Sequence, residues 1–237
     1  MNKLQLMIDQ SNYIVFFGGA GVSTESGIKD FRSKDGLYNE KNDIPPEFIL
    51  SHGYFEKHTR EFFDYYRAKM LNPDVLPNAA HKKLAELEKA GKLKAVITQN
   101  IDSLHQKAGS KNVYELHGSV ERNYCTKCGK MYDSDFILHS DGIPTCSCGG
   151  VIKPDVVLYD EALSDEVVSG AIAHISKADL LIVAGTSLTV YPAAGLLGYF
   201  HGQYLALINK DSTPIDNIAN FVSHDKVGEV LESIAVR

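Results

Sequence analysis

Short, fully apolar segments alternate with amphipathic helical patterns along most of the chain, and this alternation constrains the fold most strongly. The apolar segments have the length of buried strands and show no inside–outside alternation of polarity. They occupy residues 13–17, 94–98, 113–116, 179–184 and 204–209. The helical patterns between them span residues 79–90, 164–175 and 226–235. This order predicts βαβ units and an α/β fold with a Rossmann-like, doubly wound parallel sheet.

Two segments interrupt this rhythm and predict a second, smaller domain. Residues 34–74 carry many aromatic side chains and a Pro-Pro pair, which predict a helical insertion. Residues 119–153 hold all four cysteines of the chain and several glycines, which predict a zinc-binding insertion. The Rossmann-like domain is then expected to comprise residues 1–33, 75–118 and 154–237.

Charge and hydropathy exclude several functional classes. The 237 residues have a formal net charge of −6, which suits basic peptides better than nucleic acid. No apolar run reaches the roughly 20 residues that a membrane span needs. The N-terminal sequence MNKLQLMIDQSNY predicts an amphipathic helix and lacks the apolar core and cleavage site of a signal peptide. We therefore expect a cytoplasmic protein that binds neither membranes nor nucleic acid directly.

The stretch VFFGGAGVSTESGIKDFR, residues 15–32, leads from the first apolar segment into a glycine cluster. Gly19 and Gly21 can let backbone N–H groups approach a pyrophosphate, and the N-terminus of a following helix would favour the same charge. A turn with only a structural role is the alternative. A dinucleotide fingerprint also needs an acidic residue at the end of a second strand, about 20 residues later. The chain has DGLYNEKNDIPP there instead, which disfavours a standard dehydrogenase.

Ligand-type residues follow further predicted strands at their carboxyl ends, where open α/β sheets bind ligands. Gln99, Asn100 and Asp102 follow one apolar strand, although ordinary loop polarity could explain them taken alone. His117 follows another, where a histidine can act as a general base near neutral pH. The last two predicted strand ends carry Gly185, Thr186, Ser187 and Asn209, which suit a phosphate or a ribose. Together these strand ends predict a nucleotide site.

The four cysteines are Cys125, Cys128, Cys146 and Cys148. Disulfides are rare in the cytosol, so metal binding is favoured over disulfides or four free thiols. A Cys-x-x-Cys pair followed by a Cys-x-Cys pair can close a tetrahedral four-sulfur site, although the second pair is one residue short. A closed site has no open position for a substrate, so the predicted zinc ion is structural. A nucleic-acid-binding zinc ribbon is the alternative, but SDFILHSDGIPT lacks basic residues.

The order of motifs along the chain resembles that of the sirtuins. The matching motifs are GAGVSTESGIKDFR, TQNID, LHG, the four cysteines, KPDVVLYDE, GTSLTVYPAA and INKD. The resemblance covers nearly the whole chain and is to compact bacterial or archaeal members. It implies an NAD-dependent protein lysine deacetylase in which NAD is consumed as a co-substrate beside one structural zinc ion. It also implies acyl-lysine proteins or peptides as partners, and a monomer.

The resemblance further implies which residues line the NAD site. The pyrophosphate would lie against Ala20, Gly21 and Thr24, beside Gly19. The flap over the nicotinamide ribose would be formed by Asp30, Phe31 and Arg32. The nicotinamide ribose and carboxamide would be held by Gln99, Asn100, Ile101 and Asp102. The adenosine half would be held by Thr186, Ser187, Asn209 and Val227, next to the Gly185 of the same strand end.

The resemblance implies a two-stage mechanism with His117 and Asn100 as catalytic residues. The acyl carbonyl oxygen attacks the anomeric carbon as nicotinamide departs, and an alkylimidate forms. His117 then acts as general base toward the ribose hydroxyls, which attack the imidate carbon. The products are free lysine, nicotinamide and O-acetyl-ADP-ribose. The substrate peptide would pair, as an added strand, with Val156, Val157, Leu158 and Tyr159.

The acyl preference can also be predicted by this resemblance. Sirtuins that favour succinyl-lysine carry Tyr-x-x-Arg in the helical insertion, where this chain has Phe63 and Tyr66. Arg67 comes one position late, which turns it by about 100° on a helix. We therefore expect neutral acyl groups to be preferred over succinyl. Asp160 stands where many members have glycine, and we hypothesise that it favours basic peptides.

Two other functions are compatible with parts of this pattern. A protein ADP-ribosyltransferase would cleave NAD in the same way, but it would not need His117 to resolve an imidate. A non-catalytic NAD-sensing or zinc-ribbon binding module is disfavoured because Asn100, Asp102 and His117 are all present.

Overall fold

The computed structural model describes residues 3–31, 33, 35–39 and 44–237. Its strands are β1 (Ile14–Gly18), β2 (Leu93–Thr98), β3 (Val113–Glu115), β4 (Gly118–Cys125), β5 (Met131–Tyr132), β6 (Ile152–Val156), β7 (Leu180–Ala184), β8 (Tyr204–Ile208) and β9 (Phe221–Ser223). Its α-helices are α1 (Lys3–Gln10), α2 (Pro46–Ile49), α3 (His52–Lys57), α4 (Thr59–Lys69), α5 (Ala79–Lys89), α6 (Leu104–Lys107), α7 (Ser134–His139), α8 (Asp165–Ile175) and α9 (Val227–Glu232). Among the described residues, no helix combines the length and apolarity that crossing a bilayer requires.

The larger sheet contains six parallel strands in the order β3-β2-β1-β7-β8-β9. From β1 the chain adds strands first in one direction, through β2 and β3, and later in the other, through β7, β8 and β9. The carboxyl ends of β1 and β7 therefore flank the point where the strand order reverses, which is where open α/β sheets bind ligands. The predicted doubly wound, Rossmann-like sheet is confirmed.

The uniform apolarity of the predicted strands follows from burial on both faces of this sheet. Ile14 and Phe16 of β1 pack in one core with α1, α5 and α9, and Val15 and Phe17 pack in the opposite core with α8. All four side chains have no solvent exposure. Each of the five predicted strands is present with its bounds shifted by at most one residue. The sixth, β9, was missed because its three half-buried residues are too few to form an apolar run.

A second, antiparallel sheet with the order β5-β4-β6 belongs to a smaller lobe. Its core joins both predicted insertions, since Phe62, Phe63 and Tyr66 of α4 cluster with Ile137 and Ile152. The helical and cysteine-bearing insertions thus form one lobe, as predicted. The boundaries chosen for the two domains stay a prediction.

The sequence predicted a helix directly after the glycine cluster, but the described residues that follow β1 form no α-helix at this point. β1 leads instead into two 3₁₀ turns, Ala20–Val22 and Thr24–Ser26. Gly27 follows in the left-handed region with φ of 93°, which ends the second turn. The N-terminus of an α-helix is therefore not what this loop offers to an anion.

Candidate active site

Two glycine-containing loops meet at the carboxyl ends of β1 and β7. The N–H of Gly19 donates to the Ala184 carbonyl over 3.1 Å, and the N–H of Gly21 donates to the Gly185 carbonyl over 2.8 Å. A Cβ on Gly21 would lie 2.7 Å from the Gly185 Cα, and one on Gly19 would lie 2.8 Å from the Thr186 Cβ. These glycines therefore allow the two loops to pack, and both N–H groups already have backbone acceptors. Their contact with NAD stays a prediction.

Ser23 joins two of the residues predicted to hold nicotinamide. Its Oγ donates to Oδ2 of Asp102 over 2.6 Å and accepts a hydrogen bond from Nδ2 of Asn100 over 3.0 Å. Oδ1 of Asp102 accepts from the Leu104 N–H over 2.9 Å. Ser23 and Asn100 are buried, so these bonds set the amide and the carboxylate in fixed directions. Sequence reasoning did not single out Ser23, although it lies inside the glycine stretch.

Other residues predicted to contact NAD lie in the loops after β1 and β2 and differ in exposure. Ala20 is half-buried in the first 3₁₀ turn. Thr24 is exposed, and its Oγ1 donates to the Gly21 carbonyl over 2.9 Å. Ile101 packs against the core of the smaller lobe, and its carbonyl accepts from the Val120 N–H over 3.0 Å. The structure thus brings Ile101 to the junction of the two lobes.

His117 lies between the end of β3 and the start of β4, beside the Asn100 loop. Its Nδ1 is 2.8 Å from the Gln99 carbonyl oxygen. A carbonyl can only accept, so Nδ1 carries the proton and the lone pair of the neutral ring is on Nε2. Burial lowers the pKa of His117 below its usual value, and the hydrogen bond to Gln99 opposes this shift only in part. A neutral imidazole with an available Nε2 is what a general base requires.

The loop after β7 connects to the loop after β2. Nε2 of Gln99 donates to Oγ1 of Thr186 over 3.0 Å, so the predicted nicotinamide and adenosine halves are joined by a direct bond. Gly185 adopts a φ of 59°, and Ser187 is exposed. Asn209 follows β8 on the same edge of the sheet and is 9% exposed. All of these predicted residues lie along one edge of the larger sheet.

The predicted flap lies next to the predicted peptide strand. Oδ1 of Asp30 accepts from the Ser33 N–H over 2.7 Å, and the Phe31 ring lies 5.5 Å from that of Tyr38. The hydroxyl of Tyr38 contacts the hydroxyl of Tyr159. Arg32 lies outside the described residues.

The segment predicted to bind the peptide alternates in its burial. Val156 and Leu158 pack in the core of the smaller lobe, whereas Val157 and Tyr159 are not part of that core. The Val157 N–H donates to the His117 carbonyl over 3.0 Å, which places the segment directly beside the candidate base. Tyr159 is 38% exposed. Val157 and Tyr159 are therefore the two residues of this segment best placed to meet a ligand.

The start of α9 is tied to the glycine stretch. The Val227 side chain is buried in the core beneath the sheet, so only its backbone could face a nucleotide. The next residue, Gly228, donates its N–H to Oε2 of Glu25 over 2.6 Å. Glu25, which sequence reasoning did not select, fixes the position of this helix.

The four cysteines form a single cluster in the smaller lobe, and Cys125 and Cys146 are part of its core. Their sulfur atoms all lie within 4.8 Å of one another, with Cys125 3.4 Å from Cys148 and Cys128 3.6 Å from Cys146. Zinc–sulfur bonds of about 2.3 Å in a tetrahedron need sulfur atoms about 3.8 Å apart, so the cluster fits one structural zinc ion. The short Cys-x-Cys spacing does not prevent the site from closing.

Comparison with known proteins identifies the family. The model of the Sir2 family matches residues 19–192, which is most of the chain. This chain belongs to the Sir2 family. A relative from Clostridium perfringens (strain 13 / Type A), named NAD-dependent protein deacetylase, is 60% identical over 99% of this chain and 98% of its own length. The predicted resemblance to sirtuins is confirmed.

Solved Sir2 structures share the fold over almost the whole length. A complex of Sir2 with a p53 peptide and NAD+ has a TM-score of 0.86 and 40% identity, covering 98% of this chain and 95% of that chain. A Sir2 variant with a deacetylated p53 peptide and 3′-O-acetyl ADP ribose has a TM-score of 0.89 and 39% identity, covering 97% and 94%. Both relatives therefore bind a peptide together with NAD+ or an ADP-ribose derivative on this fold.

Proposed function

We propose that this Sir2-family chain is an NAD-dependent protein lysine deacetylase. The observation that carries the proposal is the convergence of His117 with the Asn100–Ser23–Asp102 network at the carboxyl edge of the sheet. A neutral base stands there beside a segment with an extended backbone, whose Val157 N–H bonds to the His117 carbonyl. This arrangement supports a reaction on a peptide side chain.

In this proposal NAD is the co-substrate, and its cleavage supplies the electrophilic anomeric carbon that the acyl oxygen attacks. The Ser23 hydroxyl donates to Asp102 and accepts from Asn100, so both polar groups are oriented before any ligand arrives. Preorganised groups of this kind stabilise developing charge without reorganising. Gln99 and Thr186 hold the two halves of the site together through their direct bond.

His117 acts in the second stage as the general base. Its Nδ1 proton is fixed on the Gln99 carbonyl, which leaves Nε2 to accept a proton from a ribose hydroxyl. The deprotonated oxygen adds to the imidate carbon, and the lysine amine leaves with the proton that His117 accepted. The acetyl carbon is then shared by two ribose oxygens as a cyclic acyloxonium, and one water molecule adds to it and opens it to the acetyl ester on ADP-ribose. Free lysine, nicotinamide and O-acetyl-ADP-ribose are the products. Asn100 assists by holding the ribose.

Contacts in the smaller lobe support a preference for neutral acyl groups. Phe63 and Tyr66 are fully buried in its core. Nε of Arg67 donates to the Ile137 carbonyl over 2.9 Å, and its Nη2 donates to the Gly142 carbonyl. This guanidinium therefore stabilises the backbone of the smaller lobe.

We predict that an acetyl-lysine peptide is turned over at a higher kcat/KM than the matched succinyl-lysine peptide. The physical reason is that the Arg67 guanidinium is already bonded to the Ile137 and Gly142 carbonyls, so it does not offset the desolvation of a succinyl carboxylate. Peptides of one sequence with each acyl group, assayed by mass spectrometry, measure the ratio. A succinyl peptide that is turned over equally well or better would contradict the prediction.

The decisive test of function is mass spectrometry of an acetyl-lysine peptide incubated with the protein, with and without NAD. Loss of the acetyl mass only with NAD, together with O-acetyl-ADP-ribose, is the expected result. NAD consumption with an unchanged peptide would point to ADP-ribosyl transfer or hydrolysis. No change in either would favour an NAD-sensing module. The His117→Ala variant serves as the matched control, because it removes the base and leaves the Ser23 network in place.

A further inference from the structure

The loop that carries Asn100 and Asp102 ends at a residue with an unusual backbone. Ser103 has a φ of 57° and lies in the left-handed region. Side chains with a Cβ are disfavoured there, so the surroundings must hold such a residue in place. Ser103 is 9% exposed, which makes contacts within the protein responsible for this conformation.

Three segments of the chain meet at the Ser103 hydroxyl. Its Oγ donates to Oε1 of Glu115 over 3.3 Å and lies 2.7 Å from Oγ of Ser119. Glu115 ends β3 and Ser119 is near the start of β4, so His117 lies between them in sequence. One hydroxyl thus connects the Asn100 loop to both flanks of the candidate base.

Glu115 is itself held on its other oxygen. Its side chain is 7% exposed, and Oε2 accepts from Nη1 of Arg122 over 2.7 Å. Nε of Arg122 donates in turn to Oδ2 of Asp155 over 2.8 Å. A carboxylate that is buried needs such a charged partner. The ion pair fixes Glu115 so that Oε1 remains directed at Ser103.

We propose that Glu115 is a positioning residue of the candidate active site. It acts through Ser103 to hold the left-handed turn that presents Asn100 and Asp102. The inference rests on the proposed function, because that function gives those two side chains their role toward NAD. Glu115 does not act on the substrate itself, so its loss affects NAD binding through the loop.

Two single variants test the bond between Ser103 and Glu115. Glu115→Ala and Ser103→Ala each remove it, and each is expected to raise the Kd for NAD by about five- to tenfold, the size of one net hydrogen bond. Titration calorimetry measures Kd independently of turnover. Ser103→Gly also removes the hydroxyl, but glycine adopts the left-handed turn without a Cβ penalty, so it should retain more affinity than Ser103→Ala.

The double variant separates this mechanism from a general effect of Glu115. In the Ser103→Gly background the turn no longer depends on Glu115, so adding Glu115→Ala should change Kd by less than about twofold. Glu115→Ala acting with full strength in that background would overturn the proposal. So would Glu115→Ala having no effect on its own.

Glu88→Ala is the matched control for β3. Glu88 accepts the N–H groups of Lys111 and Asn112 over 2.9 and 2.8 Å, just before β3 begins. The Glu88→Ala variant should lower the melting temperature without weakening NAD binding. An equal loss of NAD affinity would mean that a loosened β3 is the cause, and the proposal would fail.

If the wild-type protein binds NAD but does not deacetylate, the proposed function fails alone, since the Kd comparison still tests Glu115. Wild-type protein that does not bind NAD would overturn both.

Discussion

At the scale of single residues, the environment of His117 decides its chemistry. The Gln99 carbonyl selects one neutral tautomer, and burial lowers the pKa of the ring. Burial outweighs the opposing effect of the Gln99 hydrogen bond on the pKa, so the ring stays neutral at pH 7, and that bond places the free lone pair on Nε2. The residue type alone could not show this, because nine histidines occur in the chain.

We predict that kcat/KM for an acetyl peptide falls with acid only below pH 6.5. Because its pKa is lowered, His117 stays unprotonated when the pH drops below 6.5, the usual pKa of histidine. The base is protonated and lost only when the pH falls through the lowered pKa of His117. Rates from pH 5 to 9 measure this limb, with circular dichroism to verify folding. His117→Ala should lower turnover by about 10²- to 10⁴-fold. An acid limb centred above pH 6.5 would contradict the assignment, and exposed His201→Ala is the control.

Asp160 provides a second prediction at this scale. Its φ of 73° lies in the left-handed region, which explains why glycine suits this place. We expect Asp160→Ala to be less stable than Asp160→Gly by about 1 kcal/mol, because alanine has a Cβ and lacks the local hydrogen bonding that lets aspartate adopt this region. Denaturant unfolding of both variants measures the difference. Equal stabilities of the two variants would contradict this prediction, because they would mean that the turn at residue 160 leaves the left-handed region at no cost.

At the scale of elements, the small sheet depends on four cysteines, of which only Cys125 lies in a strand, at the end of β4. β5 has two residues, and the cysteine cluster lies where β4 ends and the segment before β6 begins. A strand of two residues adds little to the stability of a sheet. The cluster therefore joins β4 to the segment that leads into β6.

We predict that the purified protein contains one zinc ion and that a strong chelator loosens the smaller lobe. Removal of the metal leaves four mutually close thiols with no ion to hold them. Zinc content by elemental mass spectrometry and thermal unfolding followed by circular dichroism measure the effect. Cys128→Ser should reproduce it, since Cys128 is exposed and its replacement leaves the core intact. Ser147→Ala is the control. Unchanged unfolding after complete metal removal would argue against a structural ion.

At the scale of the whole molecule, two buried histidines link the stability of the fold to pH. His81 and His105 have almost no exposure, and their rings lie 4.7 Å apart. Burial lowers the pKa of His81 to about 4 and that of His105 well below its usual value. Both side chains must therefore be neutral in the folded protein, whereas the unfolded chain protonates them near pH 6.5.

We predict that the free energy of unfolding falls as the pH drops from 7 to 4. The unfolded chain binds more protons than the folded one in this window, and the shift at His81 corresponds to about 3 kcal/mol. The hydrogen bond to Glu161 raises the pKa of His52 above 6.5. The contribution of His52 to the free energy of unfolding is therefore constant below that pH and is lost only as the pH rises above it. Urea unfolding at several pH values measures the slope. His105→Leu should flatten it and His201→Gln should not; a flat wild-type profile would contradict this account.

Much of the fold was predictable because burial on both faces leaves a direct pattern in the sequence. The segments around Phe16 and Ile182 are uniformly apolar, since each face of the sheet is covered by helices. β9 has no such pattern, because it is a short edge strand. The 3₁₀ turns after Gly18 were also missed, since glycine-rich sequences are compatible with several kinds of turn.

The sequence by itself determined the fold class, the four cysteines and the family, because each depends on residue types at regular spacings. Only the tertiary structure decided the hydrogen bonds of Ser23, Glu115 and Ser103. Their partners lie on other segments of the chain, such as Asp102 for Ser23, 79 residues away. Contacts of that kind form only when strands distant in sequence are placed side by side, and no local pattern records them.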